Sequence, residues 1–110
     1  MPSYSRNEVV LVRVVFSDQT GSKIRPAVVV SAPNASRDLF AVPLTSKTAG
    51  FLPGEFALSD WKSAGLNVAT AVKRGIYTID SSIVLQSIGS LVRSDAQQLE
   101  AALRTWLALT

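Results

Sequence analysis

The segment GSKIRPAVVV, residues 21–30, contains the strand pattern on which the fold of this chain depends. An alanine and three valines follow Pro26, and short runs rich in β-branched residues are typical of buried strands. Proline donates no hydrogen bond to a sheet, so we place Pro26 at the start or the edge of a strand assigned to residues 25–32. Arg25 then stands at the entrance of an apolar strand. It is either a solvated charge or a functional group on a rigid support.

Similar strand-like runs flank this segment on both sides. Polar loops that contain Gly or Pro, such as 17–23 and 46–54, separate them. Pro43, inside one of these runs, indicates an edge strand or a bulge. Residues 76–84 fit no single pattern. Further strands are predicted at 8–16, 39–45, 55–59, 67–73 and 85–91.

The C-terminal segment has the clearest periodicity. Its apolar residues recur at helical spacing and form one face: Leu99, Ala102, Leu103, Trp106 and Leu107. Ser94, followed by Asp95 and Gln97, has the order of a helix N-cap. The patterns together predict one domain over residues 1–110. Its fold class is α+β, a small antiparallel β-barrel-like sheet with a C-terminal α-helix.

Composition limits the chemistry available to the chain. There is no cysteine, which excludes a disulfide scaffold, a thiolate nucleophile and cysteine-based zinc sites. There is no histidine, so the usual general base near neutral pH is missing. The acidic residues are scattered, without metal-type spacing, and no phosphate-loop or dinucleotide motif is present. We therefore expect neither a metal nor a cofactor.

Charge and hydropathy indicate the setting in which the chain acts. The formal net charge of +3 permits an anionic partner such as nucleic acid. No apolar run approaches the roughly 20 residues of a membrane span, and the first residues do not form a secretory signal. We expect no membrane association and a cytoplasmic location.

Cations and hydroxyls gather at the ends of the predicted strands. A charged residue there is usually solvated, and Thr45 or Ser46 can simply cap a turn. If the strand ends converge, the same residues form one basic groove able to bind phosphate. The set comprises Lys23, Arg25, Thr45, Ser46, Lys47, Lys73 and Arg74.

The order of these segments resembles the MazF/PemK family of toxin endoribonucleases. The similarity extends over about residues 7–109 and rests on VVLV, RPAVVVS, PLTSK, AVKRGIYTID and IGSL followed by DAQQLEAALRTWLAL. It implies the SH3-like barrel of the CcdB/MazF toxin fold, a homodimer and a cognate antitoxin protein. It also implies metal-independent cleavage of single-stranded RNA at short motifs, leaving a 2′,3′-cyclic phosphate.

The resemblance also assigns residues to roles. Arg25 matches the family's catalytic arginine and Thr45 its catalytic threonine. The chain departs from the family at Lys73-Arg74-Gly75, where many members carry an acidic residue, and at Tyr77, where many carry arginine. A phenol at that position can stack on a base. We therefore expect the RNA-binding residues to be Lys23, Ser46, Lys47, Lys73, Arg74 and Tyr77.

Two other functions stay open. A toxin of the same fold could poison gyrase through protein contact, with the C-terminal RTWLALT as its surface. A non-catalytic relative could bind RNA without cutting it. The pairing of Arg25-Pro26 with Leu44-Thr45-Ser46 favours the nuclease.

Overall fold

Seven strands and one C-terminal helix make up the described part of the chain. The computed structural model describes residues 4–15, 21–32 and 37–109. Most of the predicted 17–23 loop lies outside these ranges. In chain order the elements are β1 (Glu8–Val15), β2 (Ser22–Val29), β3 (Asp38–Thr45), β4 (Phe56–Ala57), β5 (Ala71–Val72), β6 (Tyr77–Asp80), a 3₁₀ turn (Ser81–Ile83), β7 (Val84–Ser90) and α1 (Arg93–Trp106).

The strands form one antiparallel sheet in the order β4-β5-β3-β2-β1-β7. β6 pairs with Asp38–Ala41, the first half of β3, and β5 pairs with its last two residues, Leu44 and Thr45. The predicted α+β fold with an antiparallel sheet and a C-terminal helix is confirmed. The sheet is not closed into a barrel, because no pairing joins β4 to β7 within the residues described.

Two predicted strands are much shorter in the structure than in the sequence pattern. The 55–59 and 67–73 runs contribute only two paired residues each, in β4 and β5. The reason lies in β3: β6 occupies the first half of its free edge, so only the end of that edge remains for β5. The ambiguous 76–84 segment provides β6 and the 3₁₀ turn.

Side chains of β1, β2 and β3 alternate between two buried faces. On the helix face, Val9, Val28 and Val42 pack with α1 through Leu99, Ala102 and Leu103. We call the other side the far face. It carries a second apolar cluster: Val10, Val12, Ala27, Val29, Leu39 and Ala41.

The helix is confirmed, but its predicted N-cap is wrong. The residue at the cap position is Val92, which makes no side-chain cap hydrogen bond, and Ser94 lies inside the first turn. Asp95 is buried instead, 1% exposed. Its carboxylate accepts hydrogen bonds from the backbone N–H groups of Ser59 (2.9 Å) and Asp60 (3.2 Å). The acidic residue therefore joins α1 to the segment that follows β4.

Pro26 lies inside β2, not at its start, which corrects the predicted strand boundary. The N–H of Val30 donates to the carbonyl of Phe40 in β3. Alternate residues of a strand face the same neighbour, so the even-numbered residues of β2, Pro26 among them, are the ones whose backbone nitrogens face β3. Pairing with β3 begins only at Ala27, opposite Pro43. The missing N–H of Pro26 therefore faces β3 just beyond the end of this pairing.

Pro43 occupies neither an edge strand nor a described bulge. β3 has neighbours on both sides, and the carbonyl of Pro43 accepts a hydrogen bond from the N–H of Lys73 at 3.0 Å. The missing N–H lies on this same side. There the pairing with β6 ends at Ala41 and the pairing with β5 begins at Leu44. The proline is tolerated because it stands where β3 changes partners.

Candidate functional site

Arg25 and Thr45 lie on the far face of neighbouring strands. Ala27 pairs with Pro43, and each of the two candidate residues is two positions away from this pair. Because side chains in a strand alternate, both belong to the far face. The pairing of β2 with β3 ends at Ala27 and Pro43, so Arg25 and Thr45 lie two residues beyond its end on the two strands. The two residues predicted to be catalytic therefore project from the same side of the sheet.

Arg25 presents its guanidinium on the exposed part of β2. It is exposed, and it stands opposite the buried Val12 of β1. Among the described residues, none forms a hydrogen bond or an ion pair with it. A guanidinium stays protonated and offers a planar set of donors suited to phosphate. Its planar donors are thus not engaged by any side chain of the described residues.

Thr45 ends β3 with its hydroxyl already oriented. The oxygen Oγ1 accepts a hydrogen bond from the backbone N–H of Lys47 at 3.1 Å, which forms a tight local turn. The hydroxyl hydrogen therefore remains available for donation to another acceptor. Ser46 and Lys47 continue from this turn into the loop and are exposed.

Lys73 and Arg74 follow β5 and are held through their backbones. The N–H of Lys73 donates to Pro43, which places Lys73 beside β3 on the far face, and the N–H of Arg74 donates to Glu55 Oε2 at 2.7 Å. Glu55 also accepts from the N–H of Leu52 at 2.7 Å. These two hydrogen bonds lower the pKa of Glu55 below its ordinary value, and the one from Arg74 has the larger effect. The positive charges of Lys73 and Arg74 lower it further by smaller amounts.

Tyr77 and Lys23 complete the far-face set. Tyr77 pairs with Ala41 in β3 and is 57% exposed. A Cβ added at Gly75 would lie 3.1 Å from the tyrosine ring, so the ring stands directly beside this glycine. Lys23 pairs with Val14 at the other end of β2 and is exposed. The phenol thus offers an exposed flat surface beside Gly75, the residue that follows Arg74 in the chain.

Strand alternation brings Lys23, Arg25, Thr45, Lys73 and Tyr77 to one face. It does not determine the directions of Ser46, Lys47 and Arg74, which lie in the adjoining loops. Sequence reasoning missed Glu55, which it counted among scattered acids. No local signal marks it, because its partner Arg74 is far along the chain.

Two negative observations apply to the described residues, 4–15, 21–32 and 37–109. Within them, no group of three or more acidic side chains is placed to hold a metal ion. No helix in this part of the chain is both long and apolar enough to cross a membrane.

Solved structures with the same fold cover nearly the whole chain. An endoribonuclease from Mycobacterial species is 19% identical, with a TM-score of 0.76 over 99% of this chain and 95% of that one. A second endoribonuclease from Mycobacterial species, in complex with its cognate antitoxin, is 24% identical, with a TM-score of 0.72 and 97% of both chains covered. MazE-MazF from Deinococcus radiodurans is 15% identical, with a TM-score of 0.81 over 100% of both chains. At these identities the likeness shows the fold alone.

Sequence comparison identifies the family. No curated protein sequence matches the chain significantly. The sequence model of the PemK-like, MazF-like toxins of type II toxin-antitoxin systems matches residues 5–107, nearly the whole chain. This match covers nearly the whole chain and agrees with the shared fold: the chain belongs to the PemK-like, MazF-like toxin family.

Proposed function

We propose that the protein is a metal-independent, sequence-selective endoribonuclease that cleaves single-stranded RNA and so inhibits translation. The observation that carries the proposal is that Arg25 and Thr45 lie on the same face of adjacent strands, with Lys73 hydrogen-bonded to Pro43 of β3. The endoribonucleases among the solved structures of this fold support it.

The arrangement suits cleavage by the RNA itself. The 2′-oxygen of a ribose attacks the adjacent phosphorus, the bond from phosphorus to the 5′-oxygen breaks, and a 2′,3′-cyclic phosphate and a 5′-hydroxyl result. The 2′-hydroxyl gives up one proton and the leaving oxygen takes up another. Negative charge grows on the non-bridging oxygens, where a bidentate Arg25 and the donating hydroxyl of Thr45 stabilise it.

Preorganised donors can supply much of the rate enhancement without histidine. One fixed hydrogen-bond donor at such a site typically contributes about 3 to 4 kcal/mol to transition-state stabilisation. A permanently protonated guanidinium is a poor general base, so Arg25 acts by stabilising charge. Holding the 2′-oxygen in line with the leaving oxygen lowers the barrier further.

The remaining far-face and loop residues bind the substrate. Lys23, Lys47, Lys73 and Arg74 contact phosphates, and Ser46 adds a hydrogen bond beside Thr45. The exposed ring of Tyr77 stacks on an unpaired base, which is how proteins commonly recognise single-stranded RNA. Selectivity for a short motif then arises from the bases placed next to this ring.

The toxin is inferred to act as a homodimer in the cytoplasm, where its RNA substrate occurs, and to be restrained by a cognate antitoxin protein. Complexes of relatives with antitoxins support the second partner. Light scattering of the purified chain tests the dimer, and a purely monomeric mass would refute it.

The test is cleavage of a long single-stranded RNA in EDTA with mapped product ends. Wild type should cut, leaving cyclic-phosphate ends, while Arg25→Ala should lose at least about 10³-fold in rate. Arg13→Ala is the matched control, because Arg13 lies on the opposite face of β1, hydrogen-bonded to Ser22. Binding without any product would identify a non-catalytic relative. An Arg25→Ala protein that stays toxic and causes DNA breaks would identify a gyrase poison.

A further inference from the structure

A single carboxylate joins the loop before β4 to the loop after β5, which carries Lys73 and Arg74. Oε1 of Glu55 accepts the N–H of Leu52 and Oε2 accepts the N–H of Arg74, both at 2.7 Å. The side chain of Glu55 is half-buried. Because each of its two oxygens accepts from a different backbone segment, the carboxylate is shared between them. Carboxylate acceptors bind N–H donors more strongly than neutral acceptors do. We call this arrangement the Glu55 clasp.

The clasp holds one side of the Lys73-Arg74 pair while β3 holds the other. The N–H of Lys73 donates to Pro43, two residues before Thr45, and the next N–H donates to Glu55. Two consecutive amides are therefore fixed to different supports. The backbone of both cations is held in a defined position relative to Thr45.

The Glu55 side of the clasp is itself anchored. The N–H of Glu55 donates to the carbonyl of Leu52 at 3.0 Å, so the 52–55 turn is closed twice. The carbonyl of Pro53 accepts from Nε1 of Trp106 at 2.8 Å, at the end of α1. A Cβ at Gly54 would lie 2.3 Å from the same nitrogen, so the turn packs directly on the indole. Hydrogen bonds therefore connect the end of α1 to the 52–55 turn, and the turn to the backbone of Arg74.

We propose that Glu55 is a positioning residue that fixes Lys73 and Arg74 for binding RNA phosphates. The inference rests on the proposed ribonuclease function and deepens it. An acid beside two RNA-binding cations would, through charge alone, weaken RNA binding. Positioning has the opposite effect, because it holds two flexible cations where they can meet phosphates together. Removing the charge of Glu55 should therefore strengthen RNA binding if charge alone matters, and weaken it if positioning matters.

Glu55→Gln is the variant that separates these effects. It keeps the size of the side chain, but an amide has one acceptor oxygen and one NH₂ group, so one of the two backbone N–H groups loses its acceptor. Glu100→Gln is the matched control. It removes the same charge from an exposed side chain of α1 that contacts Arg104 one turn away and is bonded to no described backbone amide.

Two measurements on the full chain test the proposal. The first is amide hydrogen exchange at Arg74 and Leu52 by NMR, which needs no RNA. The second is the affinity for an all-2′-deoxy oligonucleotide, which lacks the attacking hydroxyl, over a series of salt concentrations. We expect faster exchange at one or both amides in Glu55→Gln and binding about three- to tenfold weaker. The slope of log K against log salt should become shallower by about one. Glu100→Gln should stay within about twofold of wild type.

Each other outcome overturns the inference in a distinguishable way. Unchanged exchange would show that Glu55 does not hold the two loops. Faster exchange with unchanged or tighter nucleic-acid binding would show that the clasp exists but positions nothing for the ligand. Failure of wild type both to bind and to cut RNA would refute the proposed function, and with it the purpose assigned to the clasp.

Discussion

Replacing Asp95 with alanine removes the buried acceptor that joins α1 to the segment after β4. The carboxylate accepts from two backbone N–H groups: Ser59 at 2.9 Å to Oδ1 and 3.1 Å to Oδ2, and Asp60 at 3.2 Å to Oδ2. Without it, both donors lose their partner in a partly buried setting, and the first turn of α1 loses an acidic residue.

The magnitude follows from these contacts. A hydrogen bond to a charged group contributes about 1.5 to 3 kcal/mol, and the lower value applies here because the two donors are only partly buried. An acidic residue in the first turn of a helix adds about 0.3 to 1 kcal/mol through the helix dipole. Asp95→Ala should therefore lower the free energy of unfolding by about 3 to 4 kcal/mol. Asp95→Asn, which retains one acceptor oxygen, should lose about half of that.

Urea unfolding provides the assay, with all variants at one protein concentration, since self-association would add to the apparent stability. The urea concentration at the midpoint of unfolding should fall, while the dependence of the unfolding free energy on urea concentration stays constant. Glu100→Ala is the control: its exposed contact with Arg104 contributes less than about 0.5 kcal/mol. If the unfolding free energy of Asp95→Ala lay within about 1 kcal/mol of wild type, the carboxylate would not stabilise the fold through these hydrogen bonds, because removing a buried acceptor with such partners costs more.

Three further predictions concern the site and its supports. Gly54→Ala should lower the free energy of unfolding by about 2 to 3 kcal/mol and Gly50→Ala by about 1 kcal/mol. Both glycines have positive φ, but only a Cβ at Gly54 would meet Trp106. Equal losses for the two variants, measured by urea unfolding, would contradict this. Thr45→Val should slow single-turnover RNA cleavage about 10²- to 10³-fold and Thr45→Ser less than tenfold; a fully active valine variant would exclude a role for the hydroxyl. The folded-state pKa of Glu55 lies below its ordinary value of 4.5, so its stabilising contribution is complete above about pH 4.5 and is lost as the pH falls through the folded value. As the pH is lowered from about 6 to about 3, the free energy of unfolding should therefore fall less steeply for Glu55→Gln than for wild type. Parallel plots of this free energy against pH for the two proteins would disprove the linkage.

Several elements could be predicted because their signals are local. The valine-rich runs of β1 and β2 and the helical spacing of Leu99, Ala102 and Leu103 depend only on residues close in the chain. Such periodicity reports which side chains avoid water, whatever the strand eventually pairs with. Arg25 and Thr45 were identified before the structure through the family resemblance, and their roles stay predictions.

The wrong expectations concern hydrogen-bond partners that are distant in sequence. Pro26 and Pro43 were assigned to a strand start, an edge or a bulge, because a local reading cannot know where the pairing of β3 ends or changes. Asp95 was interpreted as part of a cap, whereas its partners Ser59 and Asp60 lie in another segment.

Local patterns establish the class of the fold, the apolar face of α1 and the residue types available for chemistry without cysteine or histidine. The folded chain adds that Arg25 and Thr45 share the far face, that the described strands leave the sheet open, and that Glu55 holds Arg74. The physical reason is that hydrophobic periodicity is a property of neighbouring residues, whereas strand register and shared carboxylates depend on where the folded chain crosses itself.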